Sequence, residues 1–434
     1  MLNCPPILKI LAIFLGMLAL TRFRVPLGLA IILGGVGLNA WAGHTPIEVL
    51  ISLGAALKQS YLWMLLAITA LVVEFGRYMS QERNAQAIVA LSRRLGGRHG
   101  RLWSLIAAPL VIGLVPMPAG ALFSAPMVQQ VVDEEHWAPE WKTAVNYWFR
   151  HVVEYWWPIY PVVIISLTVF HMETWQYVLA LIAFTPVTLL AGYLFLLRPH
   201  QDRLMCVRSS APAEPAGRRF VVVILPLMVI IASVLLLPPI LSQGFPFLNG
   251  QLRKMLAMLI GMLLGLGMIL RDDGGWSVRR LFASLAGRHS LNILLTVGSV
   301  AIFQSLLDDS RLLPTAGREL MEAGFPVVLL VAGLPLLAGL ITGVASGFAG
   351  MAFPLIVGLM SQEGAGLTPM ATLALAFGFG YMGMMLSPIH LCLLVTRDYF
   401  SSSLIPIYRQ ILPCAAVMLG FSLVLYGVFR AFGW

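Results

Sequence analysis

The sequence predicts an all-α polytopic membrane protein built as two inverted repeats, each of about five transmembrane helices plus one re-entrant hairpin. Three observations lead there. Aliphatic, aromatic and cysteine residues make up 59% of the 434 residues and only 11% are charged, against about 25% charged in a soluble domain. Apolar runs of bilayer-spanning length, roughly 17–25 residues, recur along the whole chain without the alternation of a membrane β-barrel. The order of elements also repeats at an offset of about 228 residues.

The first repeat, 1–197, carries expected spans at about 6–21, 25–42, 60–79, 144–170 and 174–197. The second, 220–434, carries them at about 220–240, 253–270, 288–307, 369–396 and 405–430. The first apolar run has a weak basic region before it and no small-residue cleavage site, so it reads as a retained helix rather than a signal peptide. Two apolar stretches, about 105–132 and 329–359, are interrupted near their middles by Pro or Gly. Each is too long for one helix and too short for two spans, which predicts re-entrant hairpins. The Pro-, Ser- and Ala-rich segment 198–219 reads as a cytoplasmic linker between the repeats.

A net charge of +9 does not imply nucleic acid. The basic residues gather in a few interhelical stretches, Arg22–Arg24, Arg77–Arg101, Arg198–Arg219, Arg271–Arg288 and Arg397–Arg409, as positive-inside topology requires. Both termini are then external, with external loops near 42–60, 171–173, 241–252 and 308–324. The acidic stretch Asp133–Lys142 falls inside, which a rule that counts basic residues tolerates. An odd span count opposes the two repeats, so the first hairpin enters from the cytoplasm and the second from outside. The four cysteines show no paired spacing, which gives neither a disulfide framework nor a metal site.

Helix breaks mark the expected site. Pro158 and Pro388 each sit inside an apolar run, where proline frees the carbonyls of Glu154 and Met384. In hydrocarbon such groups persist only where protein, water or ligand satisfies them. A half-helix starting at His390 aims its positive dipole end at mid-membrane, where an anion binds, and free carbonyls suit a cation. Candidate solute contacts are Pro118, Gly120, Ser124, Asn146, Arg150, Thr342, Ser346, Gly347, Ser387 and His390; candidates for ion or proton coupling are His151, Glu154, Gly343 and Met384. Arg150 and Glu154, at i and i+4, read either as an interfacial pair within an aromatic belt of Tyr147, Trp148, Tyr155 and Trp156 or as site groups, with Arg150 attracting a carboxylate and His151 or Glu154 moving a proton. His390 reads as a site residue or a packing histidine. Gly339, Gly343 and Gly347 read as close helix packing, as a hairpin tip lining the site, or as both. Glu74 and Arg77 read as a snorkelling pair. Gly378-x-Gly380-x-x-Gly383 lies inside a span with no preceding strand, so it is not a dinucleotide loop. No metalloprotease, serine-hydrolase or nucleotide-loop motif occurs, so nothing favours an enzyme or a primary pump.

The segments "PMPAGALFSAPMV", "NYWFRHVVEYWWPIYP" and "GYMGMMLSPIHLCLLVTRDYF" resemble a prokaryotic integral membrane family catalogued as domain of unknown function 401. That family is similar to the ion transporter superfamily of citrate, dicarboxylate, gluconate and lactate permeases. The resemblance implies a bacterial or archaeal inner membrane, homodimers, and elevator-type alternating access coupled to Na+ or H+, with no other cofactor. The dicarboxylate symporters carry Ser-Asn-Thr at both hairpin tips, where this chain has "PMPAG" and "TGVASG", so the expectation is left at a small, anionic organic solute. A cation or proton exchanger on the same scaffold, with Glu154 as its carboxylate, is the alternative.

Overall fold

The computed structural model describes residues 5–79, 100–114, 116, 120–132, 137–205, 217–248, 250–273, 287–360 and 366–434. Among them all regular structure is helical. Among the described residues, five helices are long and apolar enough to cross a membrane: Thr174–Leu204, Leu225–Gly244, Leu252–Ile269, Ser290–Ser310 and Leu404–Ala431, with mean hydropathy between 1.7 and 2.3. A sixth span results if Pro46–Lys58 and Ser60–Phe75, bent by 58° at Gln59, are taken together. Leu236, Ile240, Leu412 and Val424 stand exposed on these helices, the surface a bilayer covers.

Three expectations need correction. The segment 42–60 is not a loop, because Thr45 caps a helix over Pro46–Lys58. Its hydroxyl accepts the Glu48 amide, the Glu48 carboxylate accepts the Thr45 amide, and Pro46 stands at the first helical position, where its missing donor costs nothing. Within 308–324 a second short helix covers Leu312–Glu322. The span that starts at Thr174 also runs on past Leu197, through a π turn at Tyr193–Leu197, to Met205, and the next helix begins at Gly217. The expected linker, 198–219, is therefore helical at its two described edges, and 206–216 lie outside the described residues.

The two runs that hold Pro158 and Pro388 are interrupted, as expected, and each is two helices, whereas Gly217–Gly244 and Leu404–Ala431 continue through Pro226, Pro238, Pro239 and Pro413. The run 144–170 is Pro139–Arg150 and Pro161–Val169; the run 369–396 is Pro369–Met385 and Leu391–Phe400. Each expected hairpin is a pair of contacting short helices: Gly100–Gly113 with Ala121–Val132, and Val327–Thr342 with Ala345–Met360. Gly343 ends Val327–Thr342 at φ +63°, a left-handed conformation that costs glycine little. Helix Val327–Thr342 lies directly on Pro369–Met385. A Cβ on Gly339 would strike the backbone of Gly380 and Met384, and one on Gly383 would strike the backbone of Leu336. Gly339 thus serves close helix packing, whereas Gly343 serves the turn. Elsewhere the sequence halves are joined where Leu27–Ala42 packs on Arg288–Ser310, with the Asn39 amide donating to the Leu306 carbonyl at 2.7 Å.

Candidate functional site

The first interruption spans 151–160 and opens seven residues before its proline. It begins at His151. In a continuing helix the His151 amide would donate to the Tyr147 carbonyl. Here the imidazole Nδ1 takes that carbonyl at 2.6 Å, and the amide turns to Trp148 O, one residue closer, at 3.2 Å. The carbonyls released downstream find side-chain donors from other elements. Thr185 donates to Val152 O at 2.9 Å and Tyr177 to Tyr155 O at 3.1 Å, while the Tyr381 hydroxyl lies 3.1 Å from His151 O. At the far end Tyr160 and Trp157 donate to Gly113 O and Leu114 O, at 2.5 and 2.9 Å. The first break is thereby fastened to the turn of the first helix pair.

Arg150 and Glu154 form an ion pair at 2.5 Å, with side chains only 2% and 7% exposed. Tyr381 donates to the other carboxylate oxygen at 2.8 Å. The aromatic belt fails as a reading: Tyr147, Trp148 and Tyr155 are buried, and the Trp148 indole donates to Thr188 O at 2.9 Å. These groups are packed inside the protein rather than ranged along a membrane surface. Glu74 and Arg77 do pair at 2.5 Å with the arginine half exposed, as a snorkelling pair would.

The second interruption, 386–390, is short and holds itself. The Leu386 amide returns to Met382 O at 2.9 Å, Ser387 to Met384 O at 3.1 Å, and His390 to Ser387 O at 3.3 Å. Met384 O is therefore not left free by Pro388, which corrects its expected role as an open cation ligand. His390 is the residue before helix Leu391–Phe400, and its Nδ1 meets Gly343 O at 2.8 Å. The second break is thus fastened to the turn of the second pair.

The two breaks meet. His151 Nε2 and His390 Nε2 stand 3.3 Å apart, and Tyr147 donates from the first broken element to Met385 O of the second at 2.9 Å. Asn146 joins the same layer. Its amide donates to Ala121 O at 2.8 Å and to Thr396 Oγ1 at 3.3 Å, and Thr396 donates onward to Cys392 O at 2.7 Å. Flipping the amide would set its oxygen against the Ala121 carbonyl, so the orientation is fixed. The Asn146 carbonyl oxygen is left buried without a partner. Around this layer Arg150, His151, Glu154, Ser387 and His390 are buried, whereas Val344, Pro388 and Ile389 lie exposed at one edge.

Of the expected site residues, Asn146, Arg150, His151, Glu154, Gly343, Met384, Ser387 and His390 converge here. Pro158 is buried inside the wide break, and Pro388 is at the exposed edge of the narrow one. Ser124 donates to Ala121 O of its own helix, and Thr342 to Ala338 O of its own. Gly347 packs on Thr342, Ser346 is half-buried in the first turn of its helix, and Gly120 is buried beside Ala121. Pro118 lies outside the described residues. The sequence reading missed Tyr147, Tyr381, Cys392 and Thr396. Two adjoining cavities of about 380 and 260 Å³ lie elsewhere, around Glu173, Thr174 and Lys254, and neither is lined by a residue of the crossing.

A search of curated proteins finds no match to this chain. The family model described as "Protein of unknown function (DUF401)" matches residues 7–429. With nearly its whole length matched, and with its apolar helices and its two interrupted runs, the chain belongs to that family.

Proposed function

We propose that the protein is an ion-coupled secondary transporter of a small, anionic organic solute, working by alternating access. The observation that carries this reading is the crossing of two broken helices, each fastened to the turn of a short helix pair. Broken helices concentrate polar backbone inside an apolar protein, where it is tolerated beside a polar path or a ligand. The N-terminus of Leu391–Phe400 offers partial positive charge to an anion. The buried, unpartnered Asn146 oxygen offers an acceptor to a cation or to a solute donor. Val344, Pro388 and Ile389 form the open edge from which a solute enters.

In this reading the halves 1–197 and 220–434 are inverted repeats joined by a cytoplasmic linker, and the helix pairs are re-entrant hairpins of opposite sense. Each hairpin moves with its broken helix against the other spans as scaffold. Na+ or H+ drives the cycle, both termini are external, and the protein is a homodimer in a bacterial or archaeal cell membrane. The order of elements and the family resemblance support these features. The exchanger reading draws less support, because both oxygens of Glu154 are engaged, by Arg150 and by Tyr381.

Purified protein in proteoliposomes tests the proposal. Uptake of one labelled carboxylate from a panel, driven by an inward Na+ or H+ gradient and abolished by collapsing it, is the expected result. Gradient-driven cation flux with no carboxylate uptake under any condition would replace this reading by the exchanger.

A further inference from the structure

His151 and His390 each place Nδ1 on a backbone carbonyl, Tyr147 O at 2.6 Å and Gly343 O at 2.8 Å. A carbonyl only accepts, so both Nδ1 atoms carry protons and donate. A neutral imidazole has one N–H, so both Nε2 atoms present bare lone pairs. Those lone pairs face each other across 3.3 Å, and two acceptors make no hydrogen bond. Cys392 completes a cluster in which the two nitrogens and the sulfur all lie within 4.8 Å of one another, and all three residues are buried. The thiol has one proton and can serve only one nitrogen.

We infer that His151, His390 and Cys392 form a binding site for a borderline-soft transition-metal cation, Zn2+ or Cu+. A cation between the two Nε2 atoms turns two opposed lone pairs into two ligands. At Zn–N distances of about 2.0–2.1 Å, two ligands of a tetrahedral ion stand about 3.3–3.4 Å apart, and the nitrogens are already at 3.3 Å. Metal-bound histidines donate their second ring N–H to a carbonyl or carboxylate, which fixes tautomer and ring direction. Both histidines do so here. A thiolate with two imidazoles selects zinc or cuprous copper over magnesium or calcium, which want oxygen. The nearby carboxylate, Glu154, is taken by Arg150 and Tyr381 and competes for nothing.

The ligand set is also held in place. Tyr147 packs its ring against both imidazoles, at centroid distances of 4.9 and 5.5 Å. Thr396 fixes the Cys392 carbonyl, and Asn146 fixes Thr396. Three protein ligands leave a fourth tetrahedral position, the pattern of zinc sites that keep a place for water or a small ligand. The metal site lies at the same crossing as the proposed solute site, and its test is independent of transport because metal binding is measured on protein that carries no solute.

The test uses full-length protein purified in detergent with a tag free of histidine. After chelation and gel filtration, it is titrated with Zn2+, and with Cu+ under reductant. Bound metal is counted by mass spectrometry and its ligands are read by X-ray absorption. The expected result is about one equivalent with two nitrogens and one sulfur, and a loss of affinity of at least about 100-fold in Cys392→Ser and in His390→Ala. His44→Ala, in the turn before the Thr45-capped helix, leaves binding unchanged. Gel-filtration profiles matching wild type show that each variant folds. Less than about 0.1 equivalent of either metal, or binding that survives both Cys392→Ser and His390→Ala, overturns the site. So does ¹⁵N NMR that finds a single proton shared between the two Nε2 atoms in metal-saturated buffer.

Discussion

The two broken helices reach the same crossing by different means. The break at 151–160 is wide, carries an arginine–glutamate pair at its mouth, and relies on other elements, with Thr185 and Tyr177 donating to its carbonyls and Tyr381 to Glu154. The break at 386–390 is narrow, contains no ionised Asp, Glu, Lys or Arg, and closes largely through its own turn. One is a tertiary structure and the other a local one. A segment that depends on distant partners loosens when those partners are removed, whereas one closed through its own turn does not.

The largest expected effect lies in the wide break. Glu154→Gln leaves the Arg150 guanidinium buried without its countercharge and costs about 3–5 kcal/mol of stability, measured by thermal unfolding in detergent. Arg150→Met combined with Glu154→Leu removes both charges and recovers most of that loss. If single and double variants are equally unstable, the pair is not what holds the break.

Next is a steric effect beside the narrow break. Gly383→Ala sets a methyl against the Leu336 backbone, which has no flexible end to yield, and costs about 1–3 kcal/mol. A neutral result would mean that the second helix pair is looser than its contacts require. Tyr381→Phe removes the hydroxyl that donates to Glu154 and lies against His151 O, and costs about 1–3 kcal/mol. The smallest effect is expected at Ser387→Ala, below about 1 kcal/mol, because the turn is closed by backbone groups and the serine hydroxyl accepts only a long bond from Ile389 at 3.4 Å. A larger loss there than in Tyr381→Phe would reverse the comparison.

Much of this was legible in the sequence because proline and glycine announce themselves. Pro158, Pro388 and the Gly343 turn located both breaks and one helix pair, and Gly339 located a close backbone contact. The width of the first break was not legible. No helix breaker stands between His151 and Trp157; the helix opens where an imidazole takes a carbonyl of its own backbone, a contact that depends on rotamer and packing. Burial of the Arg150–Glu154 pair was likewise invisible, since the same i,i+4 spacing serves a surface pair. Cys392 was set aside for want of a second cysteine at metal-site spacing, yet its companions are histidines from two separate elements. The short His390-x-Cys392 spacing after the break was the one available signal.

Ligand-dependent melting tests the crossing as the solute site most directly. Purified protein is heated with a panel of small carboxylates, with and without Na+ and across pH, beside Asn146→Leu and Arg253→Ala. A solute that binds only folded protein stabilises it by about 2.7 kcal/mol at one hundred times its Kd. The account predicts a rise in Tm with one class of acid that is lost in Asn146→Leu and kept in Arg253→Ala, whose side chain lines the 380 Å³ cavity. A rise kept in Asn146→Leu and lost in Arg253→Ala would place the solute in that cavity and contradict the account.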